Sequence, residues 1–212
     1  MCAHSILTDP ARPERIWLGI SAAGVFRSED GGETFAEKNE GVASAEGHCV
    51  HSLAHDPAEP DTIYRQDHRG MYRSYDAGDS WQVCENGLPI VELGDQHRCA
   101  FGFTIGLDRH SGALFTVPLA GDSLRFPKDG DLRVYRSLDG AESWQGHDAG
   151  LPVGCYQSIL RGAMAVDERT PCGIYFGTSS GAVYGTRDAG ERWSELVTGL
   201  PRILSVEAYE IA

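Results

Sequence analysis

Residues 74–81 read SYDAGDSW, and three close variants of this octet lie elsewhere in the chain. GVFRSEDGGETF (24–35), GMYRSYDAGDSW (70–81), LRVYRSLDGAESW (132–144) and GAVYGTRDAGERW (181–193) align without gaps. The shared frame is an aromatic, any residue, Ser/Thr, any residue, Asp, any residue, Gly, two further residues, then Trp or Phe. A catalytic aspartate is needed once or twice, whereas this one recurs in every copy. The octet is therefore read as a turn between two strands. Its Asp and Ser/Thr oxygens accept hydrogen bonds from turn N–H groups, its Gly supplies a positive φ, and its Trp/Phe buries a ring between neighbouring modules. The residues assigned to this structural role are Ser28, Asp30, Gly32, Ser74, Asp76, Gly78, Trp81, Ser137, Asp139, Trp144, Thr186, Asp188, Gly190 and Trp193. The third copy departs from the frame, with Asp139 followed by Gly140 and then Ala141.

The Ser/Thr positions are spaced 46, 63 and 49 residues apart, and each octet is followed by a second landmark: NEGV, NGLP, AGLP or TGLP. Two apolar stretches precede each octet. CAHSILTDP, HCVHSLAHDP, FGFTIGLD and LRGAMAVD fill the first slot, and ERIWLGIS, DTIYRQD, GALFTVPL and GIYFGTS the second. Each module thus holds four short β-rich runs in about 45–50 residues, the length and strand count of a propeller blade. The fold class expected is all-β, a β-propeller or partial propeller of four blades with about four antiparallel strands each. The blades fall at 1–47, 48–98, 99–157 and 158–201, with 202–212 (RILSVEAYEIA from 202) as an orphan inner strand lacking the three strands that would follow it.

The pattern S-x-D-x-G-x-[TS]-[WF] is similar to the Asp-box, or BNR repeat, of sialidases and other β-propellers. Over essentially its whole length the chain resembles bacterial BNR and WD40/YVTN-like repeat proteins, which are often labelled glycosyl hydrolase or exo-alpha-sialidase on the repeat alone. The resemblance implies that the octets are turn elements away from the binding face. It also implies that propeller sequence precedes the MCAH stretch. Together with the orphan strand this gives the expectation of the C-terminal part of a longer propeller, with open blade edges available for self-association. The alternative is a compact four-bladed ring with the tail laid on an edge.

The chain has 212 residues and a formal net charge of −13. Such a surface repels nucleic-acid phosphates and anionic lipid, so neither is expected as a partner. No membrane span or secretion signal is legible. The six cysteines form no CxxC pair, which reads as reduced thiols of a cytoplasmic protein. The motifs GxSxG, the P-loop and a strand-linked GxGxxG are missing.

Blade geometry places the octets and the turn after each first strand on one face, and the remaining loops around a channel mouth on the other. There lie ASAEGHCVH (43–51), QDHRG (66–70), ELGDQHRC (92–99), the long AGDSLRFPKDGD (120–131) and VGCYQ (153–157). Propellers place specificity in such loops, and a small-molecule or carbohydrate ligand is expected there, held by His48, His51, Gln66, His68, His97 and Arg125. Cys2 and His4 match Cys49 and His51 in the repeat. This suggests a divalent metal on His4, His48, His51 and His68, with Gln66 as a polar partner, since imidazole and thiolate suit Zn or a similar ion. The competing reading is a set of inward-facing polar side chains hydrogen-bonded within a narrow channel. A sialidase-type enzyme would need three arginines on a carboxylate, a Tyr–Glu nucleophile pair and an acid/base aspartate. Candidates are Arg65, Arg69, Arg98, Arg125, Arg161, Tyr156, Glu92 and Asp95, with Arg161, Tyr156 and Arg98 the nearest to catalytic positions. The FRIP-type motif that the resemblance leads one to look for is missing. The leading expectation is therefore a binding or scaffold module, with a glycoside hydrolase as the alternative.

Overall fold

The computed structural model describes residues 2–43, 48–93 and 97–209. Four antiparallel sheets follow one another, each made of four strands paired in sequence order. The first contains β1 (Ala3–Thr8), β2 (Ile16–Ile20), β3 (Gly24–Ser28) and β4 (Ala36–Glu37). The second contains β5 (Val50–His55), β6 (Ile63–Asp67), β7 (Gly70–Ser74) and β8 (Gln82–Val83). A two-stranded ribbon of β9 (Val91–Glu92) and β10 (Arg98–Cys99) leads into the third sheet, β11 (Gly106–Leu107), β12 (Leu114–Thr116), β13 (Val134–Ser137) and β14 (Gln145–His147). The fourth is β15 (Met164–Val166), β16 (Ile174–Gly177), β17 (Val183–Thr186) and β18 (Ser194–Val197).

The octets close the turn between the third and fourth strands of every sheet. Ser74 Oγ accepts hydrogen bonds from the N–H groups of Asp76 (3.2 Å) and Gly78 (2.8 Å) and donates to Asp76 Oδ1 (2.7 Å). Asp76 in turn accepts from Ser80 N (2.8 Å) and Ser80 Oγ (2.6 Å). The same contacts recur at 28–34 and 137–143. In the fourth octet Arg192 replaces the second hydroxyl residue and offers Asp188 its backbone N–H at 3.0 Å. Each turn also holds two consecutive residues at positive φ: Gly31–Gly32, Ala77–Gly78, Gly140–Ala141 and Ala189–Gly190. That explains the irregular third copy. Its glycine has moved one position forward in the same pair, and Ala141 carries the left-handed conformation instead (φ 67°).

The octet Trp docks each sheet onto its predecessor. Trp81, Trp144 and Trp193 donate their backbone N–H to Glu40, Asn86 and Ala149 O at 2.9, 2.9 and 2.8 Å. Their rings are buried in the clusters between consecutive sheets. The landmark glycine lies against the docked residue. A Cβ on Gly41, Gly87 or Gly150 would stand 2.3, 2.3 or 2.1 Å from the Trp81, Trp144 or Trp193 carbonyl oxygen. Arginines from the third strands add a second tie: Arg27, Arg73 and Arg136 Nη1 donate to Ala77, Gly140 and Ala189 O at 2.8, 2.9 and 2.7 Å.

The two outer edges differ from these three junctions. Phe35, the aromatic of the first octet, is 38% exposed, against 4% for Trp81 and Trp144 and 2% for Trp193. Gly199 has the landmark conformation (φ +77°), yet no described atom would lie within 4 Å of a Cβ there. Gly185 stands where the other three sheets carry the tying arginine.

Three departures from the sequence expectation concern strands. FGFTIGLD yields only the two-residue β11, because Phe101 and Phe103 turn into a separate cluster with Val91, Leu93, Cys99 and Leu119. The stretch expected as an open ELGDQHRC loop is flanked by the β9–β10 ribbon. The tail likewise forms a single parallel bridge, Gly162 to Ser205, rather than a ladder. Ile203 nevertheless packs on Gly177 as Val50 packs on the equivalent Gly19, leaving no room for a Cβ at either glycine (2.2 and 2.7 Å).

Gly87→Ala and Gly199→Ala therefore have unequal costs. Both place alanine in the left-handed region, at about 1–2 kcal/mol, but only the first also drives a methyl into the Trp144 backbone. Urea unfolding should show the larger loss for Gly87→Ala, and equal losses would break the docking account. The octet also links stability to acid. The Thr34 hydroxyl and amide and the Ser28 hydroxyl hold Asp30 down from 3.8 to about 2. The Asp76, Asp139 and Asp188 carboxyls are lowered too: burial opposes this, but the hydrogen bonds of their turns outweigh it. A depressed folded-state pKa gives stability that is present above the unfolded value and lost as pH falls through the folded one. The urea midpoint should therefore drop between about pH 4 and pH 2, more shallowly in Asp76→Asn.

Candidate functional site

Opposite the octets, β5, the β6–β7 turn, the stretch before β11 and the stretch before β15 meet. Cys49 enters β5, His51 lies within it, and His68 sits in the turn after β6. His68 N donates to Cys49 O at 3.0 Å, fixing turn and strand together. One ligand atom each from Cys49, His51 and His68 lies within 4.8 Å of the others. His51 is buried, while Cys49 and His68 are half-buried. The His51 Nδ1 lies 2.7 Å from Gly102 O. A carbonyl can only accept, so Nδ1 is the donor in this contact. His68 Nε2 is 3.5 Å from Asp122 Oδ2 in the long loop between β12 and β13.

Aromatic rings wall the cluster. His51 packs on Phe103 and Phe101 (centroids 4.7 and 5.4 Å), and His68 on Phe101 (5.3 Å). Two guanidiniums also face Phe103, with Cζ of Arg161 at 4.6 Å and of Arg125 at 5.6 Å from its centroid. Hydrogen bonds from His51 and His68 pull the Cys49 thiol down from 9.0 to about 5, against the opposing effect of burial. The thiolate raises the His68 pKa in return. Burial lowers Arg161, which the neighbouring Cys49 partly offsets. His4 sits at the rim, lowered first by burial and then by Arg161 and His51. In a chain of net charge −13, the mouth collects donors and cations around one sulfur.

The structure sorts the expected site residues. His51, His68, Arg125 and Arg161 come together, with His4 beside them. Cys49, which the repeat pairs with Cys2, takes the place expected of His48. His48 instead lies beside Arg65 and Asp67, its Nδ1 buried without a partner among the described residues. Gln66, expected as a polar partner, commits its amide nitrogen to the fold: its Nε2 donates to Asp67, Gly70 and Ala100 O at 3.1, 3.2 and 3.1 Å. His97 Nε2 lies 2.9 Å from Arg69 O and braces that turn. Arg65 is no anion grip either. It is buried with Asp67, to which its Nε donates at 3.0 Å, and it also binds Asn39 Oδ1 at 2.8 Å. Arg69 is buried in the same turn, and Asp95 lies outside the described residues.

The remaining candidates share a second feature. Glu92, Arg98 and Tyr156 line a cleft of about 540 Å³ with Leu124, Phe126 and Asp129. Tyr156 is 58% exposed and stands edge-on to Phe126 at 5.4 Å. Its hydroxyl donates to Asp129 O at 3.3 Å, and Arg98 Nε lies 3.7 Å from Glu92 Oε1. The floor is the long loop, pinned by Cys155 N to Gly130 O at 2.8 Å. Phe103, Phe126, Asp122 and Asp129 went unseen in sequence. Phe101 and Phe103 occupy the repeat positions of Cys49 and His51, so the register held a signal for them; Phe126, Asp122 and Asp129 sit in an insertion that has no counterpart to align.

No protein-family model matches the chain. An oligoxyloglucan-reducing end-specific xyloglucanase of Emericella nidulans is 26% identical over 202 residues, which is 92% of this chain and 24% of that protein. Among solved structures, an ancestral GH74 enzyme superposes with a TM-score of 0.69 at 17% identity, covering 91% of this chain and 27% of that one. The GH74 xyloglucanase of Xanthomonas campestris gives 0.66 at 19% identity, over 91% and 29%. The fold is a β-propeller. Its four sheets are blades, and the chain spans about a quarter of the length of the relatives it matches.

The buried Arg65–Asp67 pair belongs to the propeller framework, and removing one partner strands the other charge. Asp67→Ala should cost about 3–5 kcal/mol in chemical unfolding; a loss below 1 kcal/mol would mean that solvent reaches the pair.

Proposed function

We propose that this propeller, of the BNR/Asp-box type, is a ligand-binding module whose ligand is a saccharide seated in the cleft that rests on the long loop of the third blade. The assignment to the BNR/Asp-box type rests on the four octets and their repeated Ser/Thr–Asp hydrogen bonds. The saccharide reading is carried by the pairing of exposed Tyr156 with Phe126 in a cleft that also offers Glu92, Arg98 and Asp129. Sugar rings present apolar C–H faces and a rim of hydroxyls. An aromatic platform flanked by charged acceptors and donors meets both. The xyloglucanase name carried by the Emericella nidulans relative supports a β-glucan chain as the class to test first.

A second reading, glycoside hydrolysis, is favoured by one further observation. Glu92 and Asp129 line the same cleft, and a carboxyl pair across a glycosidic bond is the equipment of acid–base hydrolysis.

Calorimetric titration with xyloglucan and cello-oligosaccharides tests the first reading. Binding should weaken about tenfold or more in Tyr156→Ala, the cost of one or two kcal/mol of lost stacking. Binding unchanged in Tyr156→Ala and in Phe126→Ala would remove the cleft from consideration. Product analysis of the same mixtures tests the second. Chain shortening that stops in Glu92→Gln or Asp129→Asn would make the module an enzyme, and intact oligosaccharides with retained binding would leave it a binder.

A further inference from the structure

The cysteine–histidine cluster lies outside the saccharide cleft and calls for its own account. We propose that Cys49, His51 and His68 form a three-coordinate site for one thiophilic closed-shell cation, Cu(I) in preference to Zn(II). Three observations carry this. The ligand atoms already lie within 4.8 Å of one another, on segments tied by the His68 N to Cys49 O hydrogen bond, so little ordering remains for binding to accomplish.

The second observation is the outer support of each imidazole. His51 gives its Nδ1 proton to Gly102 O, and His68 Nε2 faces Asp122. A metal-bound histidine characteristically hands its other nitrogen to a carbonyl or carboxylate, which sets ring orientation and tautomer. The repeat provides an internal comparison. The first blade repeats the pair as Cys2 and His4 but has Ala22 where the second has His68. The third has Phe101 and Phe103 at the pair positions. Only the second blade holds all three groups.

The third observation is charge, and it selects the ion. A thiolate with two neutral imidazoles carries −1. Cu(I) brings the site to zero, whereas Zn(II) leaves +1 facing the Arg161 and Arg125 guanidiniums that share the Phe103 ring. Thiolate and imidazole in a low coordination number suit Cu(I). The buried Phe101 and Phe103 rings line one side of the site, and a monovalent ion is easier to desolvate against them than a divalent one.

The test is an anaerobic titration of the purified chain with Cu(I) against a chromogenic competing chelator, and separately with Zn(II). One equivalent of Cu(I) should be taken up, with thiolate-to-metal absorption in the ultraviolet. Affinity should fall by about tenfold or more in Cys49→Ser and in His68→Ala. Cys2→Ser, which removes the exposed thiol, and His110→Ala, in the turn on the octet face, should keep wild-type uptake. Arg161→Gln should strengthen Zn(II) binding and narrow the preference for Cu(I). Circular dichroism and unfolding midpoints of each variant separate ligand loss from fold loss. The proposal is overturned if the folded chain takes up no stoichiometric Cu(I), if uptake follows Cys2 rather than Cys49, or if folded Cys49→Ser and His68→Ala bind as tightly as wild type.

Discussion

The architecture depends on how closely one blade's octet backbone approaches the landmark glycine of the blade before it. At three junctions the approach leaves less than 2.5 Å for a Cβ, a distance that only glycine tolerates. This close approach brings the Trp N–H onto a carbonyl of the preceding blade and its ring into the shared apolar cluster. Hydrogen bonding and burial are thus set by one contact. The Arg27, Arg73 and Arg136 ties then cap carbonyls of the left-handed turn pairs. Sheets of four short strands would be marginal singly. Stacked in this way they form a continuous series of cores.

Where the contact has no counterpart, the blades are looser. Phe35 keeps more than a third of its surface in solvent, whereas the three docked Trp rings are buried. Segments with few buried apolar contacts open first. The outermost strands should therefore exchange amide protons well before β6 and β7, whose residues are all buried.

The propeller was legible because its determinants are local and repeated: Ser, Asp and Trp at fixed offsets, a glycine at a fixed distance behind them. Even the irregular third octet obeys the rule once the turn is seen to need two left-handed residues rather than one glycine. The site was only partly legible, for physical reasons. His48 is expected beside His51, yet along a strand adjacent residues point to opposite faces. His48 and Cys49 are neighbours, so only one of them can share the face of His51, and the alternation chooses Cys49. Gln66 is polar and at the mouth, but buried amides satisfy backbone groups before they serve ligands. The cleft rests on an insertion without a repeat partner, so no register could place Phe126 or Asp129.

The two ends of each blade are under different constraints, and this decides where function can arise. At the octet end every blade must meet the same docking geometry, so Ser/Thr, Asp and the aromatic recur. At the mouth end one position per blade, five residues before the Asp that ends the inner strand, reads His4, His51, Phe103 and Gly162 in turn. The position two residues earlier reads Cys2, Cys49, Phe101 and Leu160. The fold asks only that such side chains share a narrow space. Divergence there costs little stability, while the uniform octets hold neighbouring blades at fixed separation. A half-buried thiolate and two imidazoles of the second blade and the Arg161 guanidinium of the fourth can then be presented to one another with the precision of the framework. The scaffold is acidic overall, so this local gathering of donors is a departure, packed on one side against the buried Phe101 and Phe103 rings.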